Sequence, residues 1–332
     1  MSTAVVETES TPCTLCSGDR SRPLGEIQMN GRLLGRMVQC ATCGLRFLNP
    51  RPTQEQRDWL YQQEYERDQQ DEQGETRFQS VQRDQDSACT RFCRYLEQLE
   101  PARRSARTRP RLLDIGAGTG QLLELGRERG WESFALEPSQ EACDYMRERF
   151  GPECVVGRDI TDYSAARESF EAITMAHVIE HLPDPLGALR QTHALLAPGG
   201  RLLVATPNDA SLYERLWQAR HRWAGNGMAN PHVTLSWRNG TWLRTPARSN
   251  GRGLVEFQIL TTEHLYFFTR RTLGRLLRHA GFANVRWAAG SVNPAKTAIG
   301  RVLRSDTVNR ALFPLTLQSE LVAFAEKRMA AA

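Results

Sequence analysis

The stretch Leu112-Leu113-Asp114-Ile115-Gly116-Ala117-Gly118-Thr119-Gly120 decides how this chain is read. An apolar run of this length is a buried strand, and Gln121 to Arg129 continues as the helix after it. Three glycines at every second position in between let the backbone approach a ligand with no Cβ in the way. The spacing separates two kinds of loop. A dinucleotide-binding turn needs G-x-G-x-x-G, and counting from Gly116 puts Gln121 where its third glycine belongs. The pattern here is D-x-G-x-G-x-G. A tight strand-to-helix turn with no ligand is the plainer reading of the same residues.

Outward from this turn the chain alternates strand and helix in the βαβ manner. Strands are expected at 111–115, 133–137, 154–158, 172–178 and 201–206, with helices near 120–130, 139–150, 163–169 and 184–196. A helix at 270–280 ending at Gly281, a strand near 284–290 and an apolar strand at Glu320–Ala325 complete the pattern. A long irregular segment, about 208–262, interrupts it and carries Trp217, Trp223, Trp237 and Trp242.

The chain has 332 residues and a net charge of +5, too modest by itself to mark a nucleic-acid binder. It lacks an apolar run long enough to span a bilayer. Residues 1–11 are polar and acidic, with neither a basic nor an apolar leader region, so a cytoplasmic location is expected. Four of the eight cysteines form two pairs, Cys13-x-x-Cys16 and Cys40-x-x-Cys43-Gly44. Two such knuckles can each offer two thiolates to one tetrahedral ion, so a structural zinc ion held by Cys13, Cys16, Cys40 and Cys43 is expected. Cys89, Cys93, Cys143 and Cys154 show no such pattern and read as buried thiols. The expected division is a zinc ribbon at 1–50, a helical cap and linker at 51–108, and an α/β domain at 109–332 with a lid insertion at about 208–262.

The glycine stretch resembles the cofactor loop of class I S-adenosylmethionine-dependent methyltransferases, and four further strings follow in that family's order. Phe134-Ala135-Leu136-Glu137-Pro138-Ser139 is similar to its acid-terminated second strand. Gly157-Arg158-Asp159-Ile160 is similar to its third-strand exit. Phe170 to Leu182 resembles the fourth strand and its exit, with Glu171 where Asp is usual. Leu196-Ala197-Pro198-Gly199-Gly200-Arg201 resembles the turn into strand five. The resemblance implies a Rossmann-like seven-stranded sheet with helices on both faces. It also implies an S-adenosylmethionine site built from Asp114, Gly116, Ala117, Gly118, Gly120, Glu137, Pro138, Asp159, Ile160, Ala176 and His177. In this family Glu137 would hold both ribose hydroxyls, Asp159 the adenine amino group, with Ile160 packed on the ring. The helix beginning near Gly120 offers its positive end to the cofactor's carboxylate.

Histidine titrates near neutrality, so His177, His181, His232 and His264 are the candidates for the base. His177 leaves strand four closest to the expected methyl group, and His181 follows four residues later. The string His177-Val178-Ile179-Glu180-His181 resembles the E-x-x-E-H motif of ubiquinone-pathway O-methyltransferases and small-RNA 3′-end methyltransferases, where metal is bound; His177 replaces the first acid. Glu263-His264-Leu265-Tyr266-Phe267-Phe268-Thr269 resembles a string that faces the acceptor in many small-molecule methyltransferases, so His264 and Tyr266 join the catalytic candidates. Residues 211–256 carry seven arginines against two acids, a composition suited to an anionic or carrier-bound acceptor. The ribbon and the string Cys40–Pro50 are similar to antibiotic-sugar C-methyltransferases. A small-molecule methyltransferase acting on oxygen or carbon is therefore expected. An RNA methyltransferase with a zinc-ribbon module is the alternative, disfavoured because the ribbon is not notably basic.

Overall fold

The computed structural model describes residues 7–29, 32–57, 92–99, 109–161, 163–164, 167–210, 233–238, 241–246, 264–289 and 320–329. The chain divides into two units, Met1–Arg77 with Asp209–Thr272, and Phe78–Asn208 with Leu273–Ala332. No helix among the described residues is long and apolar enough to cross a membrane.

The first unit is antiparallel. Strand β1 (Thr8–Glu9) pairs with β5 (Arg51–Pro52). Strands β2 (Ser21–Met29) and β3 (Arg32–Cys40) form a hairpin with Ser21 opposite Cys40. β4 (Arg46–Leu48) adds to β3, and β13 (Tyr266–Phe267) adds to β4 with Tyr266 opposite Phe47, giving the order β13-β4-β3-β2. The cysteine-bearing sheet thus takes its last strand from residues more than two hundred positions downstream. The segment expected as irregular, 208–262, contains the antiparallel pair β11 (Val233–Arg238) and β12 (Thr241–Pro246), with Arg238 opposite Thr241. Asn239-Gly240 separates the two strands in sequence, the dipeptide most typical of a two-residue hairpin loop. Trp217 and Trp223 lie outside the described residues, as does His232.

The second unit holds a seven-stranded sheet of order β14-β15-β10-β9-β6-β7-β8. Its strands are β6 (Arg111–Ile115), β7 (Glu132–Leu136), β8 (Val155–Gly157), β9 (Phe170–Ala176), β10 (Leu196–Pro207), β14 (Ala283–Ala289) and β15 (Glu320–Glu326). The five strands from β10 to β8 run parallel, and β15 and β14 close the other edge antiparallel. Parallel neighbours require crossover connections, which α1 (Gln121–Glu128), α2 (Gln140–Phe150) and α3 (Pro185–Leu195) supply. Ser139 caps α2 by accepting from the Ala142 N–H, and Asp184 caps α3 by accepting from the Gly187 N–H, with Pro185 in the first turn. One sheet face, with Leu112, Ala172, Leu203, Ala205, Val322 and Phe324, is covered by Leu122 and Leu125 of α1 and by Phe92, Tyr95, Leu96 and Leu99 of the helical residues 92–99.

The parallel α/β sheet meets the sequence expectation, with three differences. The helix expected at 163–169 does not form among the described residues there. Just before it, Asp159 accepts from both the N–H and the hydroxyl of Thr161. β9 ends at Ala176 rather than 178, because His177 turns to a left-handed φ of 57°. β10 begins early: Leu196 already pairs with Phe170, and the register slips across Ala197–Gly200 before Arg201 pairs with Ala172. Of the thiols outside the two knuckles, Cys143 and Cys154 are buried and Cys93 is half-buried; Cys89 lies outside the described residues.

Candidate cofactor and metal sites

The glycine turn stands at the carboxyl end of β6, where ligands bind in open parallel sheets. Gly116 has a φ of 71° and Gly120 one of 81°, both in the region that side chains avoid. A Cβ on Gly116 would lie 2.3 Å from Cγ2 of Val178, so the turn is packed directly against the exit of β9. The Gly116 and Ala117 N–H groups both donate to the Leu136 carbonyl, at 2.8 and 3.3 Å, which ties the turn to the end of β7. Gly120 is the N-cap of α1 and brings no side chain to its first N–H groups, an arrangement open to an anion.

Glu137 follows β7 and is 5% exposed. Its Oε2 accepts from the Gly118 N–H at 2.8 Å and its Oε1 from the Ser139 N–H at 2.9 Å. Two carboxylate oxygens have about four acceptor directions, so two remain for a ligand's hydroxyls. Burial raises its pKa above the carboxylate range, against the pull of the two amides and of Arg158. Asp114, inside β6 and 3% exposed, accepts from the Thr174 hydroxyl at 2.6 Å. Burial, opposed by that bond and reinforced by the charge of Glu137, raises it to about 7. Glu137 is therefore bonded to the glycine turn through Gly118, while Asp114 is bonded to Thr174 of β9 and feels the charge of Glu137.

Asp159 is exposed, and the oxygen that serves Thr161 is part of its local turn; Ile160 beside it is buried. Arg158, which sequence reasoning passed over, donates to the Pro138 carbonyl and to Gln140 Oε1 and so ties the exits of β7 and β8 together. Nothing in a lone arginine beside the acid would have flagged that bridge.

His177 follows Ala176 at the exit of β9, with its N–H bonded to the Ala205 carbonyl. Its Nε2 lies 2.8 Å from Glu320 Oε1 and its Nδ1 3.6 Å from Glu180 Oε1. Burial pulls its pKa down, but the two carboxylates outweigh it and raise the imidazole to about 10. Glu180 and Glu320 are 1% and 3% exposed; Glu180 belongs to the string likened to the metal-binding motif, whereas Glu320 was not among the sequence candidates. The usable signal for Glu320 was an acid opening an otherwise apolar strand, since acids are almost never fully buried unless paired. His181 is half-buried, with Nε2 4.0 Å from Glu180 Oε1. Residues 177–181 form a turn and not a helix, so the two histidines do not share a helical face. His264 and Tyr266 belong to the first unit and are buried there. Tyr266 stacks on Phe47 and Phe268, with ring centroids 6.3 and 6.0 Å away, and its hydroxyl accepts from Arg51 Nη1 at 3.3 Å.

The first unit also gathers Cys13, Cys16, Cys40 and Cys43, whose sulfur atoms all lie within 4.8 Å of one another. Cys13 Sγ is 3.4 Å from Cys43 Sγ, and Cys16 Sγ is 3.5 Å from Cys40 Sγ. A tetrahedron with zinc–sulfur bonds of about 2.3 Å has sulfur–sulfur edges of roughly 3.8 Å, so the set fits zinc after a small expansion. Burial pushes Cys13 upward and Cys43 up to about 11. Cys40 is held down at about 7, because the N–H groups of Cys43 and Thr42 outweigh its burial.

A family model described as a methyltransferase domain matches residues 82–286. A ubiquinone biosynthesis O-methyltransferase of Xanthomonas oryzae pv. oryzae (strain PXO99A) is 35% identical over 104 residues, 30% of this chain and 43% of that protein. One from Pseudomonas aeruginosa (strain LESB58) is 31% identical over 103 residues, 30% of this chain and 44% of that protein. The chain thus spans less than half the length of these curated relatives. Among solved structures, a Burkholderia thailandensis 1,6-didemethyltoxoflavin-N1-methyltransferase with bound 1,6-didemethyltoxoflavin and S-adenosylhomocysteine matches at 17% identity. That match covers 87% of this chain and 97% of the other, with a TM-score of 0.46. The family match takes in the glycine turn, Glu137, Asp159, His177 and β10, and by it this chain belongs to the methyltransferase domain family.

Proposed function

We propose that this chain transfers a methyl group from S-adenosylmethionine to the oxygen or carbon of a small-molecule acceptor. The observation that carries the reading is the Glu137 carboxylate, buried at the carboxyl end of β7 and held by the Gly118 and Ser139 amides. That carboxylate is oriented before any ligand arrives, so little ordering cost falls on binding. Glu137 would hold the ribose hydroxyls, the first N–H groups of α1 the carboxylate, and Asp159 and Ile160 the adenine. S-adenosylmethionine, when bound, supplies a methyl group on a positively charged sulfur. The protein's part would be to hold donor and acceptor in line, exclude water and take up the acceptor's proton, the last a task we assign to the group of His177, Glu180 and Glu320, whose carboxylates keep the imidazole charged. The first unit would hold one structural zinc ion through its four cysteines, whose sulfur atoms all lie within 4.8 Å of one another. The similarity to curated ubiquinone biosynthesis O-methyltransferases supports a metabolite over RNA as acceptor.

The test is calorimetry with S-adenosylhomocysteine and with NAD, followed by transfer of labelled methyl from S-adenosylmethionine into fractionated cell extract. S-adenosylhomocysteine should bind, and label should enter the small-molecule fraction. Binding of NAD alone, or label in RNA alone, overturns the reading.

A further inference from the structure

Gly157, the last residue of β8, accepts from the Glu137 N–H at 3.2 Å, so the residue after it leaves the sheet beside that buried acid. That residue is Arg158. One terminal nitrogen of its guanidinium donates to the Pro138 carbonyl, and the other donates to Gln140 Oε1 at 3.2 Å. Gln140 Nε2 donates in turn to Asp144 Oδ1 at 2.8 Å, and Arg147 Nη1 donates to the same oxygen at 3.1 Å. One planar fork thus joins the exit of β8 to the corner after β7 and to the first turn of α2. The ammonium of a lysine is a point charge and does not reproduce that geometry. On the far side of Arg158, Asp159 gives one oxygen to Thr161, and Ile160 is buried. Arg158 therefore stands in the chain between the residues read as holding adenine and the corner that carries Glu137.

Charged and titratable groups face Glu137 from three elements. Asp114 of β6 is buried and of like sign, and Cys143 of α2 donates its thiol to the Glu137 carbonyl at 3.2 Å. Arg158, at the exit of β8, is the cation that acts on Glu137 among the described residues. Burial pushes the Glu137 carboxyl up, while the Ser139 and Gly118 amides and the Arg158 charge oppose it. The guanidinium is exposed and screened by water, so its effect is modest. It matters because the acid beneath it is buried. A protonated carboxyl turns one oxygen into a donor and leaves fewer acceptor directions for a pair of hydroxyls.

We propose that Arg158 is the positioning residue of Glu137: its fork holds the Pro138 corner against the exit of β8, and its positive charge faces the carboxylate that would accept the ribose hydroxyls. The hydroxyls rest on the S-adenosylmethionine reading above; the bonds and charges around Glu137 do not. Fork and charge separate by substitution. Arg158→Lys keeps the charge and loses the fork, whereas Arg158→Gln loses both.

Carbon NMR of the full chain labelled at the glutamate carboxyls, with Glu137 assigned from Glu137→Gln, reads the charge. Calorimetry with S-adenosylhomocysteine reads the site. Arg158→Gln should raise the Glu137 midpoint by about half a pH unit, the scale of a solvent-screened charge pair. Arg158→Lys should keep the wild-type midpoint and weaken S-adenosylhomocysteine by about threefold at every pH, through loss of the fork. Arg158→Gln should bind still more weakly than Arg158→Lys below the midpoint and equal it above. An unchanged midpoint in a folded Arg158→Gln, or one raised equally in Arg158→Lys, overturns the proposal. If Arg158→Gln does not fold, wild type in about 1 M salt decides, because screening the exposed guanidinium should raise the midpoint in the same direction. A midpoint that stays in place there overturns the proposal equally. Absence of S-adenosylhomocysteine binding to wild type would instead overturn the methyltransferase reading and leave the Glu137 midpoints standing.

Discussion

Replacing Glu137 with glutamine changes one oxygen to an NH2 group and almost nothing else in shape. The carboxylate now accepts from the Gly118 N–H at 2.8 Å and the Ser139 N–H at 2.9 Å, one on each oxygen. A glutamine oxygen can satisfy one of them, and its NH2 must then face the other donor. An unsatisfied buried donor costs about 1–3 kcal/mol, which lowers the melting temperature by roughly 2–10 °C for a unit of this size. That loss falls on free and bound protein alike. The affinity loss comes from the ligand side, where one of two hydroxyl bonds to a charged acceptor disappears. Such a bond contributes about 1.5–3 kcal/mol, so S-adenosylhomocysteine should bind roughly 10- to 150-fold more weakly. Calorimetry on wild type, Glu137→Gln and the exposed control Glu132→Gln measures both effects with a parallel melting curve. The control should match wild type. A Glu137→Gln variant that binds within threefold of wild type and melts at the same temperature refutes both the ribose role and the bonding described for the loop.

Asp114 gives a stability slope of known sign. Its folded pKa is raised to about 7, so the folded state keeps a proton that the unfolded chain releases near 4, and stability falls as pH rises between those values. The ceiling on that loss is about 4 kcal/mol, and Glu137, also raised, adds to it in the same direction. The ligand-free melting temperature should drop from pH 5 to pH 8, and Asp114→Asn should flatten the drop; an equal slope in both proteins sinks the assignment. For the metal, elemental analysis should find one zinc per chain. Cys43→Ser or a strong chelator should unfold the first unit, whereas Cys93→Ser should retain metal and melting behaviour, since structural zinc contributes about 10–16 kcal/mol to folding. Protein purified without zinc that still melts with two intact units would rule the ion out.

What the sequence made legible follows from how local each requirement is. The D-x-G-x-G-x-G turn can be read because left-handed φ values at Gly116 and Gly120 leave few residue choices, and the acid after β7 lies a fixed helix and strand downstream. The cysteine pairs are legible for the same reason, since ligand spacing within a knuckle is set by the turn that carries it. The expected helix at 163–169 is absent among the described residues there, and apolar spacing alone did not reveal that. The hairpin of β11 and β12 failed for a simpler reason: the Asn239-Gly240 signal was present, but tryptophans and arginines were read in its place. Glu320 and the strand β13 belong to a different class. Each reaches its place through antiparallel pairing with a strand more than a hundred residues away, Glu320 opposite Pro207 and Tyr266 opposite Phe47. No periodicity within one segment encodes which distant partner it will meet. A histidine such as His177 can be picked out by its position after a strand, whereas the acid bonded to it is visible only once the sheet has closed. In this fold the antiparallel strand β15 delivers that acid, with Glu320 opposite Pro207 and 2.8 Å from His177 Nε2.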